Sequence, residues 1–145
     1  MSKFAQGIYR LTNPNKYAGK RDPRYRSGWE HAFMRFCDNN DNILQWASES
    51  ISIPYRHPFT GKMTMYVPDF FITYRTKDNQ MRAEVIEIKP KKQSIIESKA
   101  SARDRAVVAV NYAKWAAAQK WCQRQGIMFR VITEDDIFHQ GSKKR

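Results

Sequence analysis

The sequence predicts an α/β fold with the element order α-β-β-β-α-β. Three observations carry this. Apolar residues recur at helical spacing in two stretches, alternate with polar ones in the stretches between, and give way to Gly, Pro, Asn and Asp where one pattern meets the next. At 145 residues the chain suits one compact domain that buries a core without disulfides or structural metals.

Residues 1–26 carry Lys3, Arg10, Lys16, Lys20, Arg21, Arg24 and Arg26 against one acid, Asp22, among scattered Gly, Pro and Asn. This composition predicts a basic arm outside the core, either a solvated tail or an arm that tracks phosphates. Ser27-Gly28-Trp29-Glu30 has the S-x-x-E form of a capping box, and Trp29, Phe33, Phe36 and Cys37 follow at i, i+4, i+7 and i+8. The first helix therefore starts here. Its expected end is the run Asp38-Asn39-Asn40-Asp41-Asn42, whose side chains compete for backbone hydrogen bonds.

A strand is expected from about Leu44 to Ile53, then a loop from Pro54 to Lys62 containing Pro58 and Gly61. Alternation resumes over Met63 to Tyr74 and again over Met81 to Lys89, where Pro90 closes the third strand because proline cannot donate to a ladder. The polar, basic stretch to Arg105 reads as loop or fraying helix. An alanine-rich helix spans Ala106 to Gln125 with Gly126 as its left-handed stop, and Ile127 to Thr133 is a short buried strand. Glu134 to Phe138 predicts one more helical turn, and Lys143-Lys144-Arg145 a charged tail. The organisation expected is thus an arm (1–26), a folded domain (27–138) and a basic tail (139–145).

Lysine and arginine total 26 against 14 acids, a net charge of +12. With a pI near 9.9, this suits a polyanionic partner, DNA foremost. A mean hydropathy of −0.74 and the lack of any apolar run near the ~20 residues of a bilayer span argue against a membrane. Gly61-Lys62 has no P-loop context, so no nucleotide cofactor is expected. Cys37 and Cys122 belong to no CxxC pair and read as small buried hydrophobes, while His31, His57 and His139 are too scattered for a zinc site. No apolar signal segment opens the chain, which predicts a reducing cytoplasm.

Two acids fall near strand ends: Asp69 in Val67-Pro68-Asp69-Phe70 and Glu87 in Ile86-Glu87-Ile88-Lys89-Pro90. Whether they meet depends on the parity of the turn between their strands, because a one-residue slip inverts every side chain. If residues 77–79 form a three-residue loop, Asp69 lies across from Glu87 and Phe70 across from Ile86. Phe70, Ile72, Ile86 and Ile88 then share an apolar face for a helix to cover, whereas a two-residue loop would set Phe70 against Glu87. The odd loop is favoured, with Asn79 in its left-handed position.

Directly paired residues hold their Cβ atoms ~4.5–5.5 Å apart, close enough for two carboxylates to share a divalent ion. Lys89 falls on the Glu87 face two residues on, where its ammonium reaches a reacting phosphate; the bland alternative is a salt bridge to either acid. Glu30 has two readings, a backbone cap on Ser27 or a metal ligand. Asn111 and Lys114, three apart on the second helix, could aim at the same cleft, and Trp115, Ala118 and Cys122 form a core stripe.

Glu30, Pro68-Asp69 and Glu87-Ile88-Lys89 on this element order resemble the PD-(D/E)xK nuclease superfamily. Longer phrases make the run from Arg24 to Glu134 similar to the head completion nucleases of T-even-like tailed phages. They are Tyr25-Arg26-Ser27-Gly28-Trp29-Glu30, Trp46-Ala47-Ser48-Glu49, Ile53-Pro54-Tyr55, Glu87-Ile88-Lys89-Pro90-Lys91-Lys92, Lys114-Trp115-Ala116-Ala117-Ala118-Gln119 and Phe129-Arg130-Val131-Ile132-Thr133-Glu134.

The resemblance implies a single restriction-endonuclease-like domain, a mixed sheet flanked by helices. It implies a Mg²⁺-dependent deoxyribonuclease, with Mn²⁺ as a substitute, acting in head completion and head-to-tail joining after DNA packaging. The partners would be DNA and phage head or neck proteins, and the setting the host cytoplasm during assembly. Carried over by residue, Glu30, Asp69 and Glu87 would be the metal carboxylates, the Ile88 backbone carbonyl a further ligand and Lys89 the catalytic lysine. Arg24, Arg26, Lys91 and Lys92 would grip flanking phosphates. Two other readings stay open: a neck component that binds DNA without cutting, and a resolvase or transposon-end nuclease.

Overall fold

The computed structural model describes residues 6–94 and 100–136, the side chain of Lys92 excepted. The expected tail at Lys143-Lys144-Arg145, together with Lys3, Phe138 and His139, lies outside the described residues. In chain order the elements are β1 (Gly7–Ile8), β2 (Arg24–Tyr25), α1 (Gly28–Asn39), β3 (Ile43–Ser48), β4 (Ile53–Arg56), β5 (Met63–Tyr66), β6 (Phe70–Arg75), β7 (Met81–Ile88), α2 (Ala102–Gln125) and β8 (Met128–Ile132).

The main sheet has the order β3-β6-β7-β8. Its first three strands are antiparallel, and β8 joins parallel to β7 after the α2 crossover, so the sheet is mixed. Strand alternation sends side chains to two faces, and each face carries its own core. On one, Phe70, Ile72, Ile86, Ile88 and Ile132 pack with Phe33, Met34 and Cys37 of α1 and with Trp46. On the other, Val85 and Phe129 pack with Ala118 and Cys122 of α2 and with Ile53, Tyr55 and Tyr66 of the separate hairpin β4–β5. Both cysteines are buried and free, as expected of small interior hydrophobes.

Local signals hold at the helix ends and the hairpin turn. Ser27 Oγ accepts the Glu30 N–H at 3.1 Å to start α1. Gly126 closes α2 with φ +73°. The β6–β7 hairpin has the odd parity, pairing Phe70 with Ile86 and Arg75 with Met81, and Asn79 adopts φ +64° in the turn.

Three expectations need correction. The described part of the N-terminal segment is no solvated arm. β1 and β2 pair, Tyr9 is 6% exposed within the α1-side core, and Pro23 is fully buried. The fastening is Asp38, which lies in α1, is 0% exposed, and accepts the Tyr9 hydroxyl and the Thr12 N–H at 2.7 Å each and the Asn13 N–H at 3.0 Å. A residue read as a turn former is thus a buried latch. The expected Leu44–Ile53 and Met63–Tyr74 strands are each broken in two, at Glu49 (φ +50°) and at Val67-Pro68-Asp69. The pieces β4 and β5 leave the sheet as a hairpin across what the sequence presents as a loop. Finally, α2 begins at Ala102, capped by Ser101 Oγ accepting the Asp104 N–H at 3.1 Å.

Candidate active site

The odd hairpin register places Asp69, just ahead of β6, beside Glu87 near the end of β7, on the face that α2 and the β4–β5 hairpin cover. The break at Val67-Pro68 frees Asp69 from the ladder, and each acid clasps the other's backbone. Asp69 N–H donates to Glu87 Oε1 at 3.3 Å, and Ile88 N–H donates to Asp69 Oδ2 at 2.8 Å. Because N–H and C=O of one strand residue leave on the same side, the Ile88 carbonyl also leaves β7 on the β6 side. Lys89 Nζ stands 3.6 Å from Glu87 Oε2 with its side chain 28% exposed, so the salt bridge and the position beside the acids coexist.

Burial makes this cluster electrostatically tense. Enclosure, then the Glu87 and Glu30 charges, push Asp69 well above the usual carboxylate range, though the Ile88 N–H bond and Lys89 oppose the rise. Glu87, 4% exposed, is raised by burial against the pull of Lys89. Glu30 is raised by burial too, with a contribution from Glu49. Its Oε1 accepts the Arg26 N–H at 3.0 Å, a cap displaced one residue from the expected Ser27. Glu30 therefore lies within the electrostatic reach of the pair while its carboxylate is engaged with backbone.

Two features were not singled out beforehand. Tyr66, at the end of β5, buries its hydroxyl beside Glu87; burial first, then Glu87 and Asp69, keep it protonated. Glu49 has a backbone rare for a non-glycine residue, its N–H donates to the Asp69 carbonyl at 2.9 Å, and its carboxylate pairs with Arg26 at 3.2 Å. The sequence carried a faint sign of this, the polar Ser48-Glu49-Ser50 between two apolar runs.

Among the remaining expected residues, Lys114 lies close to the acidic pair. Its ammonium lies 5.7 Å and 6.0 Å from the ring centres of Tyr66 and Tyr55, and burial followed by Lys89 lowers its pKa against the attraction of Glu87 and Asp69. Asn111 corrects the expectation. It is 4% exposed and donates to the Gln93 carbonyl at 2.9 Å, so it ties the segment after β7 to α2 instead of opening onto the cleft. Arg24 and Arg26 are exposed. Lys91 is also exposed but pairs with Asp135 at 3.3 Å, while its N–H donates to Glu134 Oε1 at 2.7 Å. Of the Lys92 side chain nothing is described. His31 packs against Tyr9 and Tyr25, and His57 Nδ1 accepts from the hairpin turn, structural roles for both.

The donor set suits a hard cation. Asp69, Glu87 and the Ile88 carbonyl offer oxygen alone, and a divalent ion would relieve the repulsion that burial intensifies. Among the described residues no three His, Cys, Asp or Glu side chains form a metal cage.

Residues 40–134 match the family described as TnsA-like endonuclease N terminal. This span includes Asp69, Glu87, Lys89 and Lys114 and leaves out Glu30. Over 144 residues the chain is 37% identical to the head completion nuclease of Enterobacteria phage T4, covering 90% of this chain and 92% of that protein.

Proposed function

The chain belongs to the TnsA-like endonuclease N-terminal family, and on that premise we propose that it is a nuclease of phage head completion, hydrolysing DNA phosphodiesters with Mg²⁺. The observation that carries the chemistry is the Asp69–Glu87 clasp with Lys89 at its side. Asp69, Glu87 and the Ile88 carbonyl would hold Mg²⁺, or Mn²⁺ in its place, which when bound supplies Lewis acidity toward a phosphate oxygen and lowers the pKa of a water.

The chain's own groups do the rest. Lys89 orients the attacking water and counters the negative charge that builds on the phosphate in the transition state. Lys114, held over two tyrosine rings, supplies a second cation to the same phosphate, and the Tyr66 hydroxyl donates to an oxygen at the site. Glu30 adds negative charge to the cluster while bracing Arg26 through its backbone. Arg24, Arg26 and Lys91 take flanking phosphates without reading sequence. Exposed pairs such as Arg26–Glu49 and Lys91–Asp135 are worth ~0–1 kcal/mol, so phosphate displaces the carboxylates readily.

The same reading carries head-to-tail joining, contact with head or neck proteins, and action in the host cytoplasm during assembly. A neck component that merely binds DNA fits less well, because a buried like-charge pair is costly and contributes nothing to holding a polyanion. Purified protein incubated with linear and branched DNA tests the proposal. Cutting should need Mg²⁺, stop in EDTA and be lost in Asp69→Ala and Lys89→Ala. Cutting that survives EDTA or both substitutions overturns it, and exclusive cutting of branched DNA would favour a resolvase.

A further inference from the structure

The hairpin β4–β5 carries an exposed apolar stripe that the catalytic cluster does not use. Its inner face is fixed: Ile53, Tyr55 and Tyr66 are 1%, 6% and 3% exposed in the α2-side core. The outer face pairs Pro54 with Met65 and Arg56 with Met63. Met63 is 58% exposed, Met65 55%, Val67 42%, and Phe59 in the connecting turn 63%. Three large exposed apolar side chains on one hairpin, with Val67 just beyond it, are unusual in water and mark a contact surface.

The turn that presents Phe59 is built stiffly. His57 N–H donates to the Lys62 carbonyl and Gly61 N–H to the His57 carbonyl, each at 2.9 Å. His57 Nδ1 accepts the Phe59 N–H at 3.2 Å, and Arg56 donates to the Gly61 carbonyl at 2.6 Å. Gly61 holds φ +71° with open space around it, as the turn requires. Phe59 is thus a projecting ring on a preordered support.

Charge and chain continuity identify the occupant. From Ile51 to Pro68 there is no acidic residue, while Arg56 and Lys62 flank the apolar tip. β5 then runs through Val67-Pro68 straight into Asp69. A polyanion whose scissile phosphate lies at Asp69 meets this hairpin next. We propose that the β4–β5 hairpin is a DNA wedge, with Phe59 inserting at a base step and Arg56 and Lys62 on the adjoining phosphates. Strand rise places the tip ~20 Å from Asp69, roughly six base steps from the cut at ~3.4 Å per step. Apolar wedges of Phe or Met kink duplexes in this way, which selects DNA whose stacking is already weakened at nicks, branches or ends.

The inference rests on DNA passing the nuclease site, so the experiment separates the two. Duplexes carrying 2-aminopurine at successive steps are titrated with the full chain in EDTA, where no cutting is expected. Fluorescence should rise at one step, persist in Asp69→Asn, disappear in Phe59→Ala and return in part in Phe59→Leu. Duplex affinity should fall about 10-fold in Phe59→Ala, the scale of one lost aromatic–base contact. The exposed ring makes an unchanged melting temperature the folding control. A signal that persists although wild type never cuts with Mg²⁺ would remove the nuclease reading and keep the wedge. Phe59→Ala binding and unstacking DNA as wild type does overturns the wedge. So does a wild-type dimer that Met63→Ser and Met65→Ser dissociate without altering DNA binding, since the stripe would then serve a second copy of the chain.

Discussion

At Asp69 the fold stores a cost that the proposed chemistry uses. Both acids of the pair are pushed above the ordinary carboxylate range, burial being the first cause at each. A carboxyl whose folded pKa exceeds its unfolded value of roughly 4 favours the native state less and less as pH climbs through the raised pKa. Asp69→Asn removes that penalty. Its melting temperature at neutral pH should exceed that of wild type while cutting is lost, a combination that a purely structural acid would not give. Mg²⁺ should raise the melting temperature of wild type and leave that of Asp69→Asn unmoved, because only a ligand bound to the native state stabilises it. Cutting by wild type should decline on acidification above the usual carboxylate range, as the pair takes up protons and gives up its hold on a cation. Thermal melting and initial rates across pH measure both. Glu30→Gln isolates the remaining acid: its amide oxygen can still accept the Arg26 N–H, so stability should stay within about 0.5 kcal/mol of wild type by urea titration. A large loss of cutting would then assign Glu30 to the chemistry, and unchanged cutting would confine it to the cap.

Among the elements, the β6–β7 hairpin was legible because hydrophobic matching alone discriminates between its two registers. Phe70 opposite Ile86 makes an apolar face, and Phe70 opposite Glu87 does not. The helix ends were legible for a similar reason, since Ser27 and Gly126 act within a few residues of themselves. What stayed hidden needed partners distant in sequence. The stretch from Met63 to Tyr74 reads as one strand, yet it breaks at Val67-Pro68-Asp69, where Pro68 is fully buried and Asp69 Oδ2 accepts the distant Ile88 N–H. Asn111 looked like a cleft residue because its i+3 spacing to Lys114 is correct; the Gln93 carbonyl that claims it is invisible in a one-dimensional pattern. The turn tests the register argument. Asn79→Gly should be tolerated within a few tenths of a kcal/mol, whereas Asn79→Val, β-branched at φ +64°, should cost about 1–2 kcal/mol. Because a strained turn invites a slip that would part Asp69 from Glu87, Asn79→Val should also cut more slowly than its folded fraction accounts for. Urea melts paired with rates per folded molecule give the answer.

Over the whole molecule, the basic N-terminal segment defeated composition. Tyr9, Leu11, Tyr17 and Tyr25, which carry no period, pack against the α1-side core, and Lys16 donates to the Asp38 and Asn40 carbonyls. Asp38 joins that segment to the domain, and Arg26 at the end of the segment reaches the site through Glu30 and Glu49. Burial alone would raise the Asp38 pKa, yet the bonds from Thr12, Tyr9 and Asn13 outweigh it and hold the carboxyl below its usual range. The sign is opposite to that at Asp69. Stability from Asp38 is fully present above its unfolded pKa of about 3.9 and drains away as pH falls through the lower folded value. Asp38→Ala strands the Tyr9 hydroxyl and two backbone N–H groups, which should cost about 3–5 kcal/mol. Relative to wild type, that deficit should shrink as pH falls below about 4, where the unfolded state takes up a proton at Asp38 that the native carboxylate still refuses. Unfolding free energies measured from pH 2.5 to 7 would show the two curves converging under acid. Parallel curves would mean that Asp38 serves by shape alone and that its charge plays no part in fastening the segment.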